Sequence, residues 1–367
     1  MSFSSSAGKP RGPNPWACEG SVKVSILTGF PQSVRAAMPG EGQPSWRAEL
    51  RRAVRDPQEL CRRLELPAEL ADRAVDGAGQ FPVFVPPSYL ARIRPGDPLD
   101  PLLRQVLPVA EETAPAPGFL RDPVGDAAAT IQPGVLQKYY GRALLITTGA
   151  CAVHCRYCFR RHFPYQEAPQ GSAAWDHALA AIRADASIAE VILSGGDPLM
   201  LVDRQLAELA ERIAAIAHVQ RLRIHTRLPI MIPSRVNKAL LSWLTGSRLT
   251  PLVVVHANHA QELDAEVAAA VHRLRGAGVL VLNQAVLLRG VNDSVDAQLA
   301  LSRRLIETGV VPYYLHQLDR VAGAAHFEVP IADGRQMVRL LRTRLPGYAV
   351  PSYVQEVPGA TSKVVLQ

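Results

Sequence analysis

Thr147-Thr148-Gly149-Ala150-Cys151-Ala152-Val153-His154-Cys155-Arg156-Tyr157-Cys158-Phe159-Arg160-Arg161 follows a short apolar run at 143–148 and sets three cysteines at the spacing Cys-x3-Cys-x2-Cys. Loops this small would strain a disulfide between any two of them, so a metal or a reactive thiol fits better than oxidative cross-linking. Iron–sulfur clusters normally take four thiolates, and three leave one iron open to a substrate-like ligand. On the cysteines alone two other readings stay open. One is a structural zinc completed by His154 or His162, and the other is three cysteines that pack as small apolar groups.

The apolar run before the loop begins a series. Strand patterns at 143–148, 190–193, 222–225, 252–256, 279–287 and 311–315 alternate with amphipathic helix patterns at 172–186, 203–217, 236–244, 263–275 and 295–307. Such alternation predicts a parallel sheet covered by helices. Six units without a clean return predict an open, partial (β/α)6 barrel of the α/β class rather than a closed eight-stranded one. Reactive residues then belong at the C-terminal ends of the strands, where the cysteine loop lies.

A second motif, Ser194-Gly195-Gly196-Asp197-Pro198, ends the second strand. Its glycines would let backbone approach a ligand, and its carboxylate could face an ammonium. A strand-to-helix turn also favours glycine and an N-capping Asp, so the motif gains weight only from lying one unit after the cysteines.

Upstream, 1–44 is rich in Gly, Pro and Ser and is expected to be a flexible leader. Residues 45–135 read as a helical N-terminal subdomain, with helix starts at Ser45, Asp56-Pro57 and Pro67, followed by a turn-rich connecting segment over 107–137. A connection that long is often functional, and the helical part is expected to cover the pocket. The core is expected over 136–330 and a C-terminal segment over 331–367.

The 367 residues, 48% of them hydrophobic, suffice for a sizeable core. No stretch reaches the roughly 18 to 20 apolar residues of a membrane helix, and the first twenty lack a signal peptide's apolar centre, so a cytoplasmic location is expected. A formal charge of +7 would suit a nucleic-acid partner, but the arginines are dispersed along the chain, which reads as a solvated surface or an affinity for small anions. Neither a nucleic acid nor a membrane is an expected partner, and the oligomeric state is not readable.

The cysteine loop and the glycine-acid turn together resemble the radical S-adenosylmethionine superfamily, which implies a 4Fe-4S cluster on Cys151, Cys155 and Cys158 and a cofactor contact at Gly195, Gly196 and Asp197. The likeness narrows at Leu136-Gln137-Lys138-Tyr139-Tyr140-Gly141-Arg142, Cys158-Phe159-Arg160-Arg161-His162-Phe163, 283–293 and Pro312-Tyr313-Tyr314. These resemble lysine 2,3-aminomutases, from about residue 80 onward. The resemblance implies a pyridoxal 5′-phosphate enzyme that turns L-α-lysine into β-lysine, with an electron donor such as flavodoxin or ferredoxin.

Residue by residue, Lys363 matches the family's pyridoxal lysine, one of five lysines in the chain. Lys138 and Arg142 match its phosphate-binding arginines and Gln284 a cofactor contact, although a buried Gln bonded to backbone would look the same. His256 and His259 are equally ambiguous. Arg160 matches the arginine for the substrate carboxylate, and Asp319 and Glu356 the acids for the remote ammonium. Glu356 stands where the free-lysine enzymes have Asp, and its extra methylene moves the carboxylate by about 1 Å. Ser294 stands in place of a zinc-binding Cys, and the sequence ends four residues after Lys363, where those enzymes carry an assembly segment. Both departures favour the family's branch that supplies β-lysine for elongation factor P, with its ligase as a further partner. Cys18 and Cys61 have no matched role. The rivals are a free-lysine or glutamate 2,3-aminomutase and a nonenzymatic zinc or nucleic-acid-binding module.

Overall fold

Local sequence sets the N-terminal helices. In the computed structural model, which describes residues 45–79, 81–167 and 175–367, Ser45 caps α1 (Trp46–Arg51) by accepting from Ala48 N. Asp56 caps α2 (Pro57–Arg63), whose first residue is the proline whose missing N–H costs nothing there. Helix α3 (Ala68–Ala78) follows Pro67, and a single turn, α4 (Pro87–Leu90), completes the set. The expected leader over 1–44, with Cys18, Lys9 and Lys23, lies outside the described residues, as do the first residues of the helix expected from 172.

One ten-stranded sheet runs in sequence order. Strands β1 (Thr130–Gln132) and β2 (Val135–Leu136) form a small antiparallel edge, and β2 pairs antiparallel with β3 (Arg142–Thr148). From β3 the pairing is parallel through β4 (Glu190–Gly195), β5 (Arg221–Thr226), β6 (Thr250–Val255), β7 (Leu280–Val286), β8 (Val311–His316) and β9 (Ser352–Gln355). Strand β10 (Val364–Val365) turns back antiparallel on β9. Helices α5 (Trp175–Ala184), α6 (Asp203–Ala214), α7 (Leu228–Met231), α8 (Lys238–Thr245), α9 (Ala265–Gly276), α10 (Val295–Thr308) and α11 (Ile331–Arg342) make the crossovers.

The partial barrel expected from the alternation is present, and its count needs one correction. Six β/α units are followed by a seventh parallel strand, β9, and the antiparallel strands β1, β2 and β10 extend the edges. Strand β9 is four residues long and preceded by Pro351, too short for a period-two signal to be read. The connecting segment is likewise not bare loop: it contains a 3-10 turn at Ala110–Thr113 and the strands β1 and β2.

One apolar core joins helices and barrel, with Leu60, Leu102 and Leu103 buried in the same cluster as Leu145, Leu193 and Ile224. No helix among the described residues is long and apolar enough to cross a membrane. The N-terminal helices do not roof the pocket as expected. They and the connecting segment hold the cysteine loop from behind: Arg156, fully buried, donates to Glu112 through Nε at 2.8 Å and Nη2 at 2.6 Å, and to Phe81 O at 2.6 Å. Arg161 Nη2 joins the same carboxylate at 2.8 Å. Removing Glu112 leaves two buried guanidinium groups without their anion, so Glu112→Ala is expected to cost about 3–5 kcal/mol. Urea denaturation of the two chains checks it.

Candidate active site

The cysteine loop leaves β3 at Gly149 and has neither helix nor strand until the 3-10 turn at Tyr165. It is seated against the turn after β4, and glycine is required there. A Cβ on Gly196 would lie 2.4 Å from Ala150 O, and Gly195 has φ +127° with Thr148 O at 2.5 Å from any Cβ. The two glycines thus let the turn and the thiol loop touch backbone to backbone.

Asp197 does not point its carboxylate at open space. It accepts from Thr226 Oγ1 at 2.7 Å and from the N–H groups of Leu199, Arg227 and Leu228 at 3.0, 2.7 and 3.1 Å. It therefore ties the end of β4 to the end of β5. The ammonium contact expected of it competes with four donors of its own chain.

Cys151, Cys155 and Cys158 line one cavity of about 480 Å³, together with Gly195, Gly196, Gln284 and, at the other side, Lys138, Arg142, Asp319, Glu356 and Lys363. Residues more than two hundred positions apart meet there because β9 lies beside β8 and β10 returns beside β9, carrying Lys363 back over the strand ends. All three thiols are free. Burial, then the neighbouring Cys155, pushes the Cys158 thiol up to about 11, and burial raises Cys151 as well. A positive iron centre is what would draw the protons off such a group.

Neither histidine of the zinc alternative lines the cavity that holds the three thiols. His154 donates from Nδ1 to Pro82 O at 2.8 Å and stacks on Phe81, while His162 Nε2 lies 3.1 Å from Ala322 O. His162 faces a second cavity of about 490 Å³, beyond Phe159 and Arg160. Among the described residues no three His, Cys, Asp or Glu side chains converge closely enough to share one metal ion. Three thiols lining one cavity fit the ligand set of an iron–sulfur cluster.

At the far side the charges are paired within the chain. Lys363 Nζ is hydrogen-bonded to Glu356, which also accepts from Tyr139 Oη at 2.7 Å. Burial would raise the Glu356 carboxyl, but Lys363, Tyr139 and Lys138 outweigh it and hold it below its ordinary value. Lys138 Nζ lies 2.8 Å from Asp126 Oδ1, and Arg160 Nε donates to Asp126 Oδ2 at 2.7 Å. These two cations likewise overcome burial and keep Asp126 low. Arg142 packs over Tyr139 and has no ion-pair partner among the described residues, so its guanidinium is available to an anion. The Asp319 carboxylate has no hydrogen-bond or ion-pair partner among the described residues, and burial pushes it up to about 7.

Several residues in or beside the cavity escaped sequence reasoning. Asp126 sits in a turn-rich stretch and looks like any loop acid. Tyr139 is the donor to Glu356. His225 and His316, at the ends of β5 and β8, keep Nε2 atoms that are buried and without a partner, and with His256 they are held neutral, mainly by burial. The strand-end rule flags His225 and His316; nothing local flags Asp126. Gln284 faces the cavity without a side-chain hydrogen bond among the described residues, unlike the backbone-bonded alternative. His259 caps a 3-10 turn, its Nδ1 accepting from Gln261 N at 3.2 Å, and Ser294 caps α10 by accepting from Ala297 N.

Residues 145–299 match the model of the Radical SAM superfamily. An L-lysine 2,3-aminomutase of Escherichia coli (strain K12) is 47% identical over 324 residues, covering 88% of this chain and 94% of that protein. One from Haemophilus influenzae is 42% identical, covering 88% and 96%. One from Clostridium subterminale is 34% identical, covering 87% and 76%.

Anaerobic loading with iron and sulfide is expected to give a cluster that Cys151→Ser, Cys155→Ser and Cys158→Ser each lose. Cys61→Ala and His162→Ala should keep it. Iron, sulfide and zinc per chain are the measurement, and stoichiometric zinc without iron would sink the assignment.

Proposed function

The chain belongs to the L-lysine 2,3-aminomutase family within the radical S-adenosylmethionine superfamily, and on that premise we propose that it moves the α-amino group of L-lysine to the β-carbon, giving β-lysine. One observation carries the proposal: three thiols and a carboxylate-paired lysine, Lys363, line a single cavity. Cys151, Cys155 and Cys158 would hold a 4Fe-4S cluster, with S-adenosylmethionine on its open iron beside Gly195, Gly196 and Gln284. Lys363 would hold pyridoxal 5′-phosphate, with Arg142 and Lys138 on its phosphate. The partnerless Nε2 atoms of His225 and His316 fit a polar ligand in that space. When bound, the cluster with its cofactor supplies a radical able to take hydrogen from an unactivated carbon, and the pyridoxal supplies a carbonyl that can carry nitrogen.

The chain's own groups bind and orient the substrate. Arg160 is fixed by Asp126 on one side and Ser194 Oγ on the other, at 2.7 and 3.2 Å, so its remaining donor edge can meet the α-carboxylate. Asp319, its carboxylate without a partner among the described residues, meets the remote ammonium. Glu356, which is bonded to Lys363 and lies 3.7 Å from Lys138 Nζ, would share its carboxylate with the substrate's ammonium. Apolar walls from Leu318, Val286 and Val354 keep water from the reacting carbons.

The labour divides along the chain: 45–135 supports the thiol loop, 136–330 carries six of the parallel strands, and 331–367 adds the seventh and brings in Lys363. We assign the product to β-lysylation of elongation factor P in the cytoplasm, with flavodoxin or ferredoxin as electron donor and the factor's ligase as recipient. Support comes from Glu356 in place of Asp and from Ser294 in place of Cys, here a helix cap.

Anaerobically reconstituted chain with reductant, S-adenosylmethionine and pyridoxal phosphate is expected to convert L-lysine to β-lysine, read by mass spectrometry after chromatography. Lys363→Ala should abolish both turnover and the borohydride-fixed pyridoxyl label. No turnover of L-lysine by loaded enzyme, or turnover of glutamate in its place, would defeat the assignment.

Asp319 adds a pH dependence. With its carboxyl near 7, it is ionised above that pH and protonated below, between Lys363 and Lys138 as cations and Glu356 and Asp126 as anions. The kcat/KM for lysine is expected to be flat above about pH 7 and to fall up to about tenfold per unit below it, through KM. In Asp319→Asn that limb should vanish, leaving a uniformly high KM.

A further inference from the structure

Arg227 follows β5 and is absorbed by none of the roles above. The residue is 7% exposed, and its guanidinium lies by the rings of Tyr89 and Tyr157, at 5.7 and 5.6 Å from their centroids. Its Nη1 is 2.7 Å from Cys155 Sγ, and its Nη2 donates to Gln105 Oε1 at 2.6 Å and Glu262 Oε2 at 2.8 Å. The whole assembly is locked. Asp197 accepts from Arg227 N at 2.7 Å, and the other oxygen of Glu262 accepts from Asn258 N and His259 N at 2.8 and 3.0 Å.

We propose that Arg227 sets the reduction potential of the cluster, as a positioning residue that acts through Cys155. The proposal rests on the cluster assignment made above. Its physical basis is where the charges sit. The cation touches the sulfur directly, while its counter-ion Glu262 touches the far nitrogen, so the sulfur feels a net positive field in a dry surround. Reduction adds one electron to the cluster from a low-potential one-electron carrier and makes or breaks no bond at Cys155. A charged hydrogen bond to the ligand sulfur stabilises that added negative charge and raises the potential. Among the described residues neither Cys151 nor Cys158 has a charged side chain within hydrogen-bond reach, so Arg227 makes one ligand of three unlike the others. Asp197 belongs to the same device, since it fixes the backbone from which Arg227 projects.

The test is a redox titration followed by electron paramagnetic resonance, on wild type, Arg227→Gln and Arg227→Lys, each assayed for iron and sulfide. At the wild-type midpoint the reduced-to-oxidised ratio in Arg227→Gln is expected to fall about tenfold, equivalent to 59 mV for a one-electron couple. Arg227→Lys, which keeps the charge, should restore part of it. If Arg227→Gln fails to load because Glu262 is left unpaired, Arg227→Gln/Glu262→Gln removes both charges and is titrated instead. An unchanged ratio in any loaded variant lacking the guanidinium charge overturns the proposal. So does loss of cluster from both variants when Glu262→Gln alone keeps it, because Arg227 would then be scaffold. A wild-type chain that takes up no iron overturns the cluster assignment and this proposal together.

Discussion

Three buried arginine–carboxylate pairs converge on the cysteine loop: Arg156 with Glu112, Arg160 with Asp126 and Arg227 with Glu262. The loop itself contains no helix or strand, yet a cluster needs its thiols fixed to within a fraction of an ångström. Buried fork-shaped pairs supply that rigidity, because a guanidinium and a carboxylate meet in a narrow range of orientations. Two of the carboxylates, Glu112 and Asp126, come from the long connection between the helices and the barrel. The same connection supplies the edge strands β1 and β2.

Such pairs are poor devices for stability. Desolvating two charges offsets most of their attraction, and apolar replacements of similar volume often do as well. What they give is a single geometry, since any shift leaves a buried charge without its partner. The same logic explains Asp197. A carboxylate holding Thr226, Arg227, Leu228 and Leu199 welds the ends of two adjacent strands, so the glycine turn on one and the arginine on the other keep a constant relation to the thiols.

Much of this was legible from the chain. The cysteine spacing, the glycine-acid turn and the alternation of strand and helix gave the barrel and the thiol end of the cavity, because each signal is local and periodic. The far end was legible only through family likeness. Strand β9 is four residues of Ser-Tyr-Val-Gln, and without it nothing in the sequence says that Lys363 returns to the strand ends. Glu112, Asp126 and Glu262 were not legible at all. An isolated acid in a turn reads as solvated surface, and only the folded chain reveals an arginine opposite it. Ser294 and His259 were singled out by alignment or position, and both turned out to cap helical turns.

The internal pairing of the cavity bears on which substrate it admits. Arg160 and Lys363 already have anions of their own chain, Asp126 and Glu356. A ligand that draws on one of them alone would leave a buried charge short of its partner, at a cost of kcal/mol. On the proposed assignment a zwitterion with a carboxylate at one end and an ammonium at the other would satisfy both ends at once, its carboxylate adding to Arg160 and its ammonium meeting Asp319 and Glu356. Glutamate fits the first end equally well, but it sets a second carboxylate against Asp319 and Glu356 in a space of low dielectric. That repulsion disfavours a second carboxylate at the remote end. The proposed preference for lysine thus falls on the remote end of the cavity, where Asp319 and Glu356 lie, rather than on the end lined by the thiols.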